Sequence, residues 1–190
     1  MAQGPTASAV DYNFADTTAE EGAVAGAARP GARKQRCFAD AAACPTTAAE
    51  VAEWVAFMQG AGVGAVVSLL SPDEVATYEA PGVEAAMRGA FGADGYARFN
   101  AKDAGAASPA AILDAIDALV ASKAKVVVHC WGGGGRTGLI QAAWLARARG
   151  LPPADAAAAV VQHAKAAGVP RRVDVAALEA FLAEAGAAKA

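Results

Sequence analysis

Cys130 and Arg136 are separated by five residues, four of them glycine, in "HCWGGGGRTG" (129–138). An ionised cysteine is a strong nucleophile, and arginine carries a planar fork of donors that matches the oxygens of a phosphate. Glycine loses more conformational freedom on folding than any other residue, so four in succession imply a backbone that must turn tightly. A run of β-branched residues, 126–128, comes directly before this loop, and a helical pattern follows it from about Thr137. Strand, glycine loop and helix in succession let consecutive N–H groups converge on one centre, with the positive end of the helix beside them. Residues 130–137 therefore read as a cradle for an anion such as phosphate.

Two loop chemistries compete for that pattern. The nucleotide-binding form G-x-x-x-x-G-K-[ST] would need glycine where Cys130 stands and lysine where Arg136 stands, so both defining positions fail. In the other form, Cys-x5-Arg, each residue type has a task. Inward amides, a helix amino terminus and a neighbouring guanidinium favour a thiolate at the floor of the cradle. Cys130 would attack phosphorus in line, while Arg136 grips two equatorial oxygens. Thr137 can offer its hydroxyl to the sulfur and help it depart. His129 is expected to fix the loop through hydrogen bonds, and Trp131, Gly132, Gly133, Gly134 and Gly135 form the wall around the bound phosphate.

The stretch "VVVHCWGGGGRTG" resembles the H-C-x-x-G-x-x-R-[ST] signature of the protein tyrosine phosphatase superfamily. Its particular form, H-C-x-x-G-x-G-R-T-G, is similar to the dual-specificity, cysteine-dependent branch. The resemblance runs outward from about Arg29 to Phe181, through "VVSLLSPDEVATYE" and "AAWLARARGLPPADAAAAV". The cysteine lies late in the chain, unlike that of the low-molecular-weight phosphatases. The resemblance implies an α/β phosphatase that hydrolyses phosphomonoesters through a phosphocysteine, without metal or cofactor. It also implies a general acid on a loop between a strand and a helix upstream of the nucleophile. Asp103, in "YARFNAKDAGAASPAAILDAI", stands at that place; Asp94 in "GADGY" is the second candidate, and Asp114 and Asp117 fall inside a helix. Where some members carry a glutamine that positions water, this chain has Leu178. The uncharged loop disfavours inositol lipids. Arg171 and Arg172 read as a solvated basic turn, with a rim for a second anion as the alternative.

The elements that must position these residues are well punctuated. Thr47 and Glu50 make a capping box ahead of Val51, Trp54, Val55 and Met58 at helical spacing. Residues 63–70 read as a buried strand, Ser71 and Pro72 open a helix, and Pro81 and Gly82 lead to another that ends near Gly92. A short strand is expected at 96–99, a helix after Ser108 and Pro109, and the clearest strand at 125–129. Two more helices close the chain. Strands alternating with helices predict an α/β fold: a central, mostly parallel sheet flanked by helices, with a helical carboxy-terminal part.

Composition bounds the rest. With 190 residues and a formal charge of -3, the chain has a sizeable core and no general attraction to nucleic acid or anionic membrane. The amino terminus resembles neither a signal nor a transit peptide. Residues 1–28 lack periodicity and are expected to be a flexible tail, leaving 29–190 as one phosphatase domain. Cys37 and Cys44 fit no zinc spacing and read as ordinary thiols, and His129 and His163 are too few for a metal site. A reducing, cytoplasmic setting follows. The expected substrate is a phosphorylated protein or a small phosphoester. A phosphatase for a non-protein phosphoester or pyrophosphate, and a catalytically weak phosphate-binding module, are the rival expectations. Oligomeric state is left open.

Overall fold

The computed structural model describes residues 8–32, 45–103, 106–123 and 125–187. Five strands, β1 (Ala15–Asp16), β2 (Val24–Ala28), β3 (Ala65–Ser68), β4 (Tyr96–Arg98) and β5 (Val126–Cys130), form one sheet in the order β1-β2-β5-β3-β4. Only β1 runs antiparallel to its neighbour; β2, β5, β3 and β4 are parallel. The helices are α1 (Ala48–Gly60), α2 (Pro72–Val75), α3 (Val83–Phe91), α4 (Pro109–Ser122), α5 (Gly135–Arg149), α6 (Pro153–Ala166) and α7 (Val175–Ala187). This is the expected mostly parallel sheet with helices on both faces.

The period of two along β5 sorts its side chains. Val126, Val128 and Cys130 point into the core shared with α4, α5, α6 and α7. Val127 joins the opposite core, built from α1 and α3. His129 faces that second side too, where the Trp54 indole of α1 meets its ring edge-on at 5.4 Å between centroids. The nucleophile candidate and the histidine beside it therefore belong to different layers.

The local signals act as read. Thr47 Oγ1 accepts from Glu50 N at 3.2 Å and Glu50 Oε2 accepts from Thr47 N at 2.9 Å, so both halves of the α1 box form. Gly150, at φ 64°, closes α5.

The expected flexible tail does not hold for its described part. β1 and β2 lie in residues 15–28, and every residue of β2 is buried beside β5. "VAGAA" carries little β-propensity, so packing decides here. A Cβ at Gly26 would lie 2.3 Å from Gln141 Oε1 and 2.6 Å from Thr137 Cγ2 on α5. The strand has to be thin because α5 presses on it. Cys37 and Cys44 lie outside the described residues. Among the described residues, no helix is long and apolar enough to cross a membrane.

Candidate active site

Parallel strands deliver their carboxyl ends to one edge of a sheet, where ligands of such folds bind. Arg29 follows β2, Ser71 and Glu74 follow β3, Asp103 follows β4, and Cys130 ends β5. Asp94 precedes β4 and so lies at the opposite edge, paired with Lys123 at 3.2 Å. Topology alone separates the two acid candidates.

Cys130 is buried, and Thr137 in the first turn of α5 donates its hydroxyl toward Sγ at 3.1 Å. The same hydroxyl reaches Ala27 O at 3.3 Å, so one proton serves two acceptors. Of the four glycines, Gly133 is the one the backbone demands. Its φ is +72°, and a Cβ there would lie 2.6 Å from Ala28 N. A Cβ at Gly132 or Gly135 would meet nothing within 4 Å. The loop is also tied from outside. Arg29 N donates to Trp131 O at 3.3 Å, the Arg29 guanidinium stacks 3.7 Å above the Trp131 ring, and Asn13 Nδ2 donates to Gly132 O at 2.9 Å. Burial holds the Arg29 pKa below its ordinary value, with Tyr78, Glu50 and Glu74 working the other way.

Arg136 is held end-on by Glu74. Nη2 donates to Oε1 at 2.5 Å and Nη1 to Oε2 at 2.8 Å, while Nη1 also donates to Leu69 O at 2.7 Å. Burial works against the charge on Arg136, but the Glu74 bonds and the nearby Cys130 raise its pKa above the ordinary value. Burial likewise opposes ionisation of Glu74, and the bonds from Arg136 and Ser71 N bring its pKa below the usual carboxylate value. Nε–H and one Nη2–H of Arg136 meet no partner among the described residues. These two donors form the side edge of the fork, the edge that fits two oxygens of one phosphate.

His129 departs from expectation. It is fully buried, and neither ring nitrogen has a partner in hydrogen-bond geometry. Burial pushes its pKa down to about 4, against an opposing pull from the Cys130 backbone. The ring is neutral near pH 7, and the tie on the loop comes from Asn13 and Arg29 instead.

Asp103 is exposed and accepts from Asn100 Nδ2 at 2.9 Å. Together with Arg136, Leu139, Ile140 and Phe181 it lines a cleft of about 350 Å³. Its neighbour Lys102 donates to Asp73 Oδ2 at 2.6 Å, and bonds from Lys102 and Ser71 hold the Asp73 carboxyl down at about 2. Asp114 and Asp117 brace α4 against α5 through Arg147, at 2.8 and 2.6 Å, away from the cleft. Leu178 is a fully buried core residue of α7.

Arg171 and Arg172 do not form a solvated turn. Arg171 is buried, bonded to the backbone and to Gln141. Arg172 is exposed, with Nη2 3.7 Å from where a Gly134 Cβ would stand.

Sequence reading passed over Glu74, Arg29 and Asn13 as parts of this edge, and gave Arg171 only the alternative of an anion rim. A usable signal existed for the first two, since each is a charged residue within a few positions of a parallel strand's carboxyl end. Asn13 and Arg171 carry no comparable signal. Asn13 reaches Gly132 from a distant segment, and Arg171 in turn holds Asn13.

A buried cysteine on a strand end, an arginine with a free edge and a helix amino terminus meet at one loop, and solved phosphatase structures share the fold that brings them together. PTPMT1 in complex with PI(5)P aligns with 15% identity and a TM-score of 0.60, covering 93% of this chain and 99% of that one. Tk-PTP in its active form gives 22% and 0.55, covering 85% and 92%. The PTP-2 phosphatase of Cydia pomonella gives 18% and 0.52, covering 78% and 80%. Over residues 41–150 the chain matches, and belongs to, the Tc-R-P family, the DSP-PTPase phosphatases of polymorphic toxin systems. No curated protein matches the chain.

Proposed function

We propose that the protein hydrolyses phosphomonoesters on proteins, phosphotyrosine or phosphoserine and phosphothreonine, through a phosphocysteine at Cys130. The observation that carries this reading is the pairing of two contacts: Thr137 Oγ1 to Cys130 Sγ at 3.1 Å, and Glu74 bidentate on Arg136. The first sets a donor on the sulfur, and the second aims the free edge of the guanidinium at the same loop. The phosphate dianion sits on the loop amides and on Nε and Nη2 of Arg136. The Cys130 sulfur attacks phosphorus, an S–P bond forms, and the P–O bond to the leaving group breaks. Asp103 gives its proton to that departing oxygen. In the second step the Asp103 carboxylate takes a proton from water, the water oxygen attacks phosphorus, and the sulfur leaves while accepting the Thr137 hydroxyl. No step draws on a metal or cofactor. Membership of a toxin-system family fits an activity aimed at phosphorylated proteins of a cytosol-like, reducing compartment.

The test is turnover of phosphotyrosyl and phosphothreonyl peptides, phosphoinositides and nucleotides by the full chain and by Cys130→Ser, with chelator present. Peptide turnover by the native chain, vanadate sensitivity and loss of at least 10³-fold in Cys130→Ser are expected. Turnover confined to nucleotides or lipids would replace the protein substrate with a non-protein phosphoester. Turnover surviving in Cys130→Ser would end the covalent mechanism.

A further inference from the structure

Arg171 is a buried cation with no carboxylate on it. It is 5% exposed, and each of the four acceptors on its fork is neutral. Nε donates to Gln141 Oε1 at 2.9 Å, Nη2 to Gly26 O and Asn13 O at 2.7 Å each, and Nη1 to Pro170 O at 3.2 Å. Among the described residues it makes no ion pair. Burying a charge without an opposite one is costly, and such charges are normally matched. Burial brings the Arg171 pKa to about 10, so the charge persists near neutrality, and attraction to Cys130 works in its favour.

The path from Arg171 to the sulfur is short and made of packed side chains. Gln141 and Thr137 are one turn apart on α5, and both fill the space that Gly26 leaves open on β2. Thr137 then reaches Cys130. Gln141 is held on its other side by Thr17 Oγ1 at 3.3 Å and Ala15 O at 3.4 Å, so its amide oxygen is committed to Arg171.

We propose that Arg171 is a positioning residue for the nucleophile: its charge, which no carboxylate matches and which Gln141 and the β2 backbone fix in place, favours negative charge at the Cys130 sulfur. The proposal rests on Cys130 being the nucleophile. The other groups facing that sulfur are accounted for. Arg136 on α5 shares its charge with Glu74 of α2. Arg29 beyond β2 stacks on Trp131, and His129 on β5 is neutral near pH 7. Arg172 is exposed, and Asp103, Asp73 and Lys102 stand on the solvent side of the cleft. Arg29 and Arg171 are thus the two buried cations around the loop that no carboxylate pairs among the described residues, and Arg171 is the one joined through Gln141 to the helix that carries Thr137.

The experiment is the rate of iodoacetamide alkylation against pH for the full chain, in a Cys37→Ser/Cys44→Ser background where Cys130 is the single thiol. Arg171→Lys and Arg171→Gln both lose the fork and differ in charge. The midpoint of the rate curve is expected to move up by about 1 pH unit in Arg171→Gln, a tenfold change in thiolate at a given pH, and by under about 0.3 in Arg171→Lys. Equal midpoints in the two variants and the native chain, whatever happens to Tm, would make Arg171 a structural brace and overturn the proposal. Should Arg171→Gln not fold, Gln141→Glu sets a carboxylate on the guanidinium without changing volume. Its midpoint should rise as well, and an unmoved midpoint overturns the proposal equally. Complete alkylation that leaves turnover intact would instead fail Cys130 as nucleophile.

Discussion

Glu74 and Arg136 face each other fork to fork, 2.5 and 2.8 Å apart, at the carboxyl edge of the sheet. Asp73, the residue before Glu74, holds Lys102, the residue before Asp103. One four-residue helix therefore supports both Arg136 and the loop that carries Asp103. The two supports differ in strength. The Glu74 side chain is 11% exposed, whereas Lys102 and Asp73 are 45% and 67% exposed, where water screens the pair.

Removing the Glu74 charge should separate orientation from attraction. Glu74→Gln leaves the Arg136 charge unneutralised and less fixed, so kcat should fall roughly 10- to 100-fold while inhibition by inorganic phosphate is not weakened. Steady-state kinetics with phosphate as inhibitor checks both. A parallel loss of phosphate affinity would assign Glu74 to binding rather than aim.

The acid can be identified by leaving-group dependence. Asp103→Asn should slow an alkyl phosphate about 10² to 10³-fold and an activated aryl phosphate under about tenfold, and should erase the alkaline limb of the rate profile. Asp94→Asn, at the far edge of the sheet and bound to Lys123, should change neither. Equal sensitivity to both leaving groups in Asp103→Asn would remove it as the acid.

The loop glycines should not be equivalent. Gly133→Ala forces a Cβ onto the Ala28 backbone at a positive φ and should cost about 2 to 4 kcal/mol of stability or displace the loop with loss of turnover. Gly132→Ala should leave Tm within about 2 °C, since its Cβ enters open space. Thermal unfolding of the two variants decides the comparison.

His129 gives a pH signature. Its folded pKa, about 4, lies below the ordinary 6.5, so the unfolded chain binds the proton more readily. Stability is complete above pH 6.5 and declines as pH falls toward 4, by about 3 kcal/mol from this group. Denaturant unfolding between pH 7 and 4 should show that slope, and His129→Gln should flatten it.

Much of this fold is legible in the chain because its signals are local. Thr47 with Glu50, Ser108 with Pro109, and the valines of β5 each announce an element without help from elsewhere. The glycine loop is legible for the same reason: cysteine, glycines, arginine and threonine are consecutive, and their chemistry needs them so. β2 is not legible, because "VAGAA" is shaped by α5 lying on Gly26 rather than by its own propensity. His129 misleads because a histidine beside a cysteine suggests hydrogen bonding, while strand alternation turns it toward Trp54. Arg171 misleads because two adjacent arginines after Pro170 look solvated until β2 and α5 supply acceptors.

The ties on the glycine loop come from segments far apart in sequence: Asn13 bonds Gly132 and Pro170, and Arg171 bonds Asn13, across 119, 157 and 158 positions. The motif from His129 to Gly138 is thus complete long before the site is. A ribosome that has released residue 140 has made the whole signature, but the segment that closes behind it is still unmade. Until Arg171 is joined to the chain, Asn13 lacks the partner that backs its hold on Gly132.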